Sequence, residues 1–192
     1  MADTADDIAD AGGPAPTEGG PLDPHSRYSV LRERILEHLF VGELLRLLWG
    51  RQIWDVEVLR SEFDAYGYDL VLSRKDVVRH VQLKAVRARG RTRDTKIALS
   101  LGDKPSGCIV CMVVDDQLAV DHFLWFGGCP GQPLPGIIHN RIAKQVKGNA
   151  KGEKLERPLH RLVRYSDFER VDTMAALLDR LLFATLSPSP GD

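Results

Sequence analysis

Two apolar runs, residues 68–73 and 77–86, are separated only by the polar triplet Arg74-Lys75-Asp76. This constrains the chain more than any other feature. Runs of this composition and spacing read as strands joined by a turn. Side chains alternate along a strand, so Asp69 faces away from Leu70 and Leu72, and Gln82 and Lys84 share one face while Val81, Leu83 and Ala85 share the other. Closing the hairpin at residues 74–76 brings Asp69 near residues 80–82. One register puts Asp69, Gln82 and Lys84 on the same face, a slip of one residue separates them, and the sequence leaves the register open.

The rest of the chain supplies what such a hairpin needs to pack. Residues 23–49 have helical apolar spacing, with Leu31, Ile35, Leu39, Leu45 and Leu48 among the apolar positions. Asp23-Pro24 resembles a cap with proline in the first turn, and Gly50 a stop. Residues 53–59, 108–114 and 118–126 read as further strands, residues 127–136 as a Gly/Pro loop, residues 144–157 as an exposed loop after a short helix, and residues 167–183 as a closing amphipathic helix. The expected class is α/β, a mixed sheet flanked by helices. The domain spans residues 23–186. Residues 1–22, rich in Ala, Asp, Gly and Pro, form an acidic tail expected to be disordered, and residues 187–192 a flexible end.

Composition narrows the function classes. With 192 residues, 43% hydrophobic and 28% charged, the chain fits a single globular domain. No apolar run is long enough to cross a bilayer, and the N-terminus lacks a secretory pattern. Three cysteines without an even pairing suit a reducing, cytoplasmic setting, and no membrane partner is expected. The net charge of −1 hides an asymmetry. Asp3, Asp6, Asp7, Asp10, Glu18 and Asp23 precede the first basic residue, which leaves 26 basic against 27 − 6 = 21 acidic residues, or +5, for the remainder. Arg87, Arg89, Arg91 and Arg93 follow Lys84, with Arg74, Lys75 and Arg79 close by. Alternating arginines on an extended chain point one way, toward a phosphate backbone in one reading and toward solvent in the other. Lys144 and Lys147 open a second basic stretch with the same two readings. Cys108 and Cys111 are three apart in a strand, so they face opposite sides and belong to the core rather than to a zinc site.

A carboxylate, an amide oxygen and an ammonium on one sheet face suit phosphodiester hydrolysis, because Mg²⁺ takes oxygen ligands and keeps several waters. Asp69 followed by Gln82-x-Lys84 resembles the PD-(D/E)xK nuclease superfamily, in the variant with glutamine at the second acidic position. The resemblance implies a restriction-endonuclease-like core: a helix, a three-strand meander, a helix and further sheet. Residues 88–107 show little apolar spacing for that second helix. It also implies Asp69 and Gln82 as ligands of Mg²⁺ or Mn²⁺, Lys84 as the catalytic lysine, DNA as substrate, and a homodimer as one arrangement, since cutting two strands takes two sites. Members of the superfamily often add a glutamate from the first helix. Glu43, with Leu39, Phe40 and Leu47 as helical neighbours, is the first candidate, and Glu37, which reads as more solvated, the second. Asp64 and His80 are accessory candidates. The competing readings are a nucleic-acid-binding module in which Gln82 marks a decayed site, and an interaction protein in which Asp69 and Lys84 form only a salt bridge.

Overall fold

A computed structural model describes residues 24–62, 66–145 and 154–183. The acidic tail, the C-terminal end, Asp64 and Lys147 fall outside the described residues. The described chain is α/β: a mixed six-stranded sheet and a smaller three-stranded sheet, with helices against the larger one.

The chain opens with a single turn, α1 (Pro24–Arg27), and the long helix α2 (Ser29–Gly50). With Arg51 as its cap, the helix ends at Gly50. The chain reverses two residues later at Gln52, which takes a left-handed φ of 57°. The buried side of α2 is Leu36, Phe40, Leu44 and Leu48, a run at every fourth residue. Burying each stabilises by about 1.5–3 kcal/mol relative to exposure. Leu31, Ile35, Leu39 and Leu45 lie on the solvent side, 38–59% exposed. Helical spacing alone did not reveal which of two apolar stripes faces inward.

β1 (Glu57–Arg60), β2 (Leu70–Arg74) and β3 (Val77–Arg87) form an antiparallel meander. Lys75, at φ 53°, makes the tight turn between β2 and β3. The chain then leaves this sheet. Residues 88–107 hold no α-helix. They form β4 (Asp94–Ala98) and a 3-10 turn at Leu99–Leu101, in the place where the resemblance implies a helix. β5 (Gly107–Val114) returns parallel to β3, pairing from His80↔Gly107 to Arg87↔Val114, and β6 (Val120–Gly127) folds back on β5. β7 (Ile142–Lys144) lies where a short helix was expected to lead into the loop of residues 144–157, β8 (Glu156–Arg164) begins at the end of that loop, and with β4 they build the small sheet in the order β4-β8-β7. β9 (Glu169–Val171) completes the large sheet, β1-β2-β3-β5-β6-β9. Helix α3 (Met174–Leu182) follows, capped by Thr173, whose hydroxyl accepts from the Ala176 amide at 3.1 Å.

Two cores follow from strand alternation. Leu70, Leu72, Val81, Cys108, Val110, Met112 and Val114 meet α2 and α3. Ile109, from the opposite face of β5, meets Ile97 and Val163 of the small sheet. Cys108 and Cys111 point to opposite sides, both free thiols. No helix of the described residues is long and apolar enough to cross a membrane.

Candidate functional site

The β2–β3 register pairs Leu70 with Val81, and its continuation sets Asp69 opposite Gln82. Asp69 is the residue before β2 begins. Its amide donates to the Val81 carbonyl at 2.9 Å, its carbonyl accepts from the Ser61 amide at 3.0 Å, and its Oδ2 accepts from the Leu83 amide at 2.7 Å. Beyond that point the two strands part. β3 continues to Arg87 beside β5 only, and the carboxylate of Asp69 takes the amide that a longer β2 would have paired. A splay of this kind leaves room beside the exposed strand edge.

That room is a cleft of about 410 Å³, walled by Asp69, Leu83, Lys84 and Ala85, by Tyr68 and Ser61, and by the first half of α2, including Arg34 and Glu37. The structure thus brings together Asp69, Lys84 and two helix carboxylates, Glu33 and Glu37, and Glu43 is not among them. Glu37 has a side chain 12% exposed, and pairs with Arg34 at 3.0 Å and Arg60 at 3.2 Å. Glu43 is 41% exposed and held by Arg46 at 2.7 Å. This guanidinium keeps its carboxyl below the usual range. Glu43 does not line the cleft, which corrects the expectation drawn from its apolar neighbours: those neighbours belong to both sides of the helix, and Glu43 lies between them.

Gln82 is buried, 5% exposed, and packs beside Gly67. Its Oε1 has no hydrogen-bond partner among the described residues. A buried oxygen without a donor costs about 1–3 kcal/mol, so a group that satisfies it would be stabilised there. Lys84 stands on the same side of β3, paired in register with Cys111. Burial pushes the Cys111 thiol up to about 12, against the opposing effects of a hydrogen bond with Tyr165 and the charge of Lys84. Tyr165, itself pushed up by burial, also bonds Thr95. This Thr95–Tyr165–Cys111 group beside Lys84 has no signature in the sequence, because its members come from β4, the turn after β8, and β5.

His80 lies on the Gln82 side, outside the cleft wall. Its ring meets Tyr68 edge-on at 5.0 Å, and its Nδ1 is buried without a partner among the described residues. Burial and, secondarily, the Lys104 charge lower its pKa. Lys104 also sits 3.9 Å from the Tyr66 ring centre.

The basic flank is not one extended stripe. Arg87 ends β3 and pairs with Asp116 at 3.7 Å, and Gly90 bonds back to the Arg87 carbonyl in a turn that contains Arg89. Arg89, Arg91 and Arg93 are exposed, as is Lys144 at the end of β7. Arg79 and Arg74 are not available to a ligand. Arg74 pairs with Asp55 at 3.0 Å and lies over Phe183, and Arg79 is entirely buried.

Asp69, Glu33, Glu62 and the arginine-held Glu37 line the cleft, and buried Gln82, opposite Asp69 in register, is not itself on the wall. Among the described residues no group of three or more His, Cys, Asp or Glu side chains could hold a metal. A set of one carboxylate and one amide oxygen still fits a hard cation that keeps most of its water. Comparison with family models, with curated proteins and with solved structures finds no match to the chain.

Proposed function

We propose that the Asp69–Lys84 cleft is the site of a Mg²⁺-dependent phosphodiesterase acting on nucleic acid, with DNA as the expected substrate. The observation that supports it best is the splay of β2 from β3, which opens a cleft with Asp69 and Lys84 on its wall, and opposite Asp69 in register stands Gln82, whose amide oxygen has no partner among the described residues. Asp69 and Gln82 would hold the cation. The chemistry Mg²⁺ supplies when bound is charge neutralisation at the phosphate and a more acidic water. Asp69 is held rigid for this by the Leu83 amide. Lys84, an ammonium on a strand pinned by β5, stabilises negative charge developing at the phosphate or orients the attacking water. Arg34 lines the same cleft and provides a second cation for the backbone. Arg89, Arg91 and Arg93 extend the positive surface past the end of β3.

A second reading, nucleic-acid binding without cleavage, is favoured by one observation: Glu37 is occupied by two arginines, and among the described residues no three His, Cys, Asp or Glu side chains are grouped to hold a metal.

A cleavage assay on plasmid, linear, branched and RNA substrates with Mg²⁺ or Mn²⁺ separates the two. Cleavage that requires the metal and falls by at least about 100-fold in Lys84→Ala and Asp69→Asn supports the nuclease. Glu37→Gln should reduce it and Glu43→Gln should leave it unchanged. Salt-sensitive binding with no cleavage of any substrate establishes the second reading instead, and absence of both rejects a nucleic-acid site.

A further inference from the structure

The outer side of α2 carries a feature that the cleft does not use. Tyr28, Leu31, Ile35, His38, Gly42, Leu45 and Trp49 alternate at spacings of three and four, the pattern of a helix that packs against another helix. All seven are solvent-facing, Ile35 at 38% exposed, and Leu39 at 51% widens the stripe. The buried run Leu36, Phe40, Leu44 and Leu48 lies on the other side of the helix. A helix apolar on both sides is normally covered on both sides. Trp54, 66% exposed, extends the stripe by meeting Trp49 edge-on at 6.3 Å.

We infer that the outer face of α2 is a homodimer interface, occupied by the same helix of a second copy running antiparallel. The area suffices. Tyr28, Trp49 and Trp54 are 52%, 72% and 66% exposed. At about 150–250 Å² for a fully covered aromatic, these three alone supply roughly half of the ~800 Å² per partner of a standard interface. Leu31, Ile35, Leu39 and Leu45 add to it. The terminal segments outside the described residues are poor occupants: residues 1–23 offer only Met1, Ile8 and Leu22 as large apolar side chains, and residues 184–192 only Leu186.

The seam is also complementary to itself. In an antiparallel pair, one register sets Leu31 against Trp49 of the second copy, Ile35 against Leu45, and His38 against Gly42. A Cβ on Gly42 would meet nothing within 4 Å, so the helix surface is open there to receive the imidazole. Antiparallel packing also aligns the helix dipoles favourably. Twofold symmetry repeats each contact, the commonest arrangement of soluble oligomers. The inference does not depend on the chemistry of the cleft.

Sedimentation of the full chain tests it. Twice the 21.4 kDa chain mass is expected at micromolar concentration. Ile35→Glu and Leu45→Glu, both at solvent-facing positions of the single chain, should each raise the dissociation constant more than about tenfold. Leu159→Glu, at a still more exposed position on β8, should leave the dimer intact. A Leu31→Cys, Trp49→Cys double variant should form a disulfide between copies, because the two sites lie roughly 27 Å apart within one helix. A monomer at all concentrations up to about 100 μM would overturn the inference. So would a dimer that survives both glutamate variants, or a monomeric protein that binds vesicles of phosphatidylcholine and phosphatidylserine through this face.

Discussion

Arg79 shows how one residue's role depends on the side to which its strand turns it. Its guanidinium has five N–H groups, and all five are used: Nε donates to the Leu181 carbonyl at 3.2 Å, Nη1 to Ser106 Oγ at 2.9 Å and the Cys129 carbonyl at 3.3 Å, and Nη2 to the Gly128 and Arg180 carbonyls at 2.7 and 2.8 Å. Two of those carbonyls end α3, where the helix dipole is negative, and the Trp125 ring lies 5.1 Å away. Burial lowers the arginine pKa, yet the five acceptors compensate for lost water. Arg79→Met should cost about 3 kcal/mol or more, since it strands several buried carbonyls, and the urea midpoint will report it. Arg79→Lys should recover only part, because an ammonium has three donors without the planar fork. A midpoint within error of the parent protein would show that water replaces the guanidinium. Nothing in the sequence separates this arginine from Arg74, Lys75 and the residues after Lys84. Strand alternation puts it on the side of Val81 and Val77, but burial of a charge becomes visible only when α3 arrives from a hundred residues away. The reverse holds for Asp69, Gln82 and Lys84. Their shared face was readable from alternation, and the hairpin register that joins them was one of two options.

Gly67 is where one element controls another. It has φ +74°, and a Cβ added to it would stand 2.8 Å from the Ala98 Cβ at the end of β4. The small sheet therefore braces the segment that carries Asp69 into β2. Gly67→Ala should destabilise the fold by about 2 kcal/mol, part from the left-handed backbone and part from the contact. Ala98→Gly should relieve the contact and not the backbone, so the double variant should recover some of the loss. If the proposed chemistry holds, activity should follow the same order, because the Asp69 to Leu83 bond moves with this segment. Purely additive effects of the two changes would show that the elements do not touch in solution. Little in the residue pattern announces the brace. β4 and β7 are short and β8 carries Arg157, His160, Arg161 and Arg164, so none has a long apolar run, and β4 and β8 are held as strands because the side chains of Ile97 and Val163 find a core between the sheets. Helix α2 was legible as a helix and not as to its face: two stripes share it, and only the sheet decides which one goes inward.

At the scale of the molecule, β5 contributes to both cores, and the cleft opens where its neighbour β3 outlasts β2. Positive charge gathers past that end. Arg89, Arg91 and Arg93 are exposed and form no ion pair among the described residues, whereas the six acids of residues 1–24 offset a remainder of +5. Such opposed charges act at a distance set by salt, roughly 10 Å at 0.1 M. If nucleic acid binds this end, each phosphate contact contributes about −0.9 to the slope of log affinity against log salt, so replacing the three arginines with alanine should flatten the slope by about 2.7 between roughly 50 and 200 mM salt. Replacing Asp3, Asp6, Asp7, Asp10, Glu18 and Asp23 with their amides should raise affinity at the low-salt end and leave it nearly unchanged at the high-salt end, because screening already removes the competition there. The two sets of changes act oppositely on one measured quantity, a fluorescence-anisotropy titration repeated across salt. A slope that ignores the arginines would place any nucleic-acid contact on another surface of the molecule, and would separate the cleft from the charge beside it.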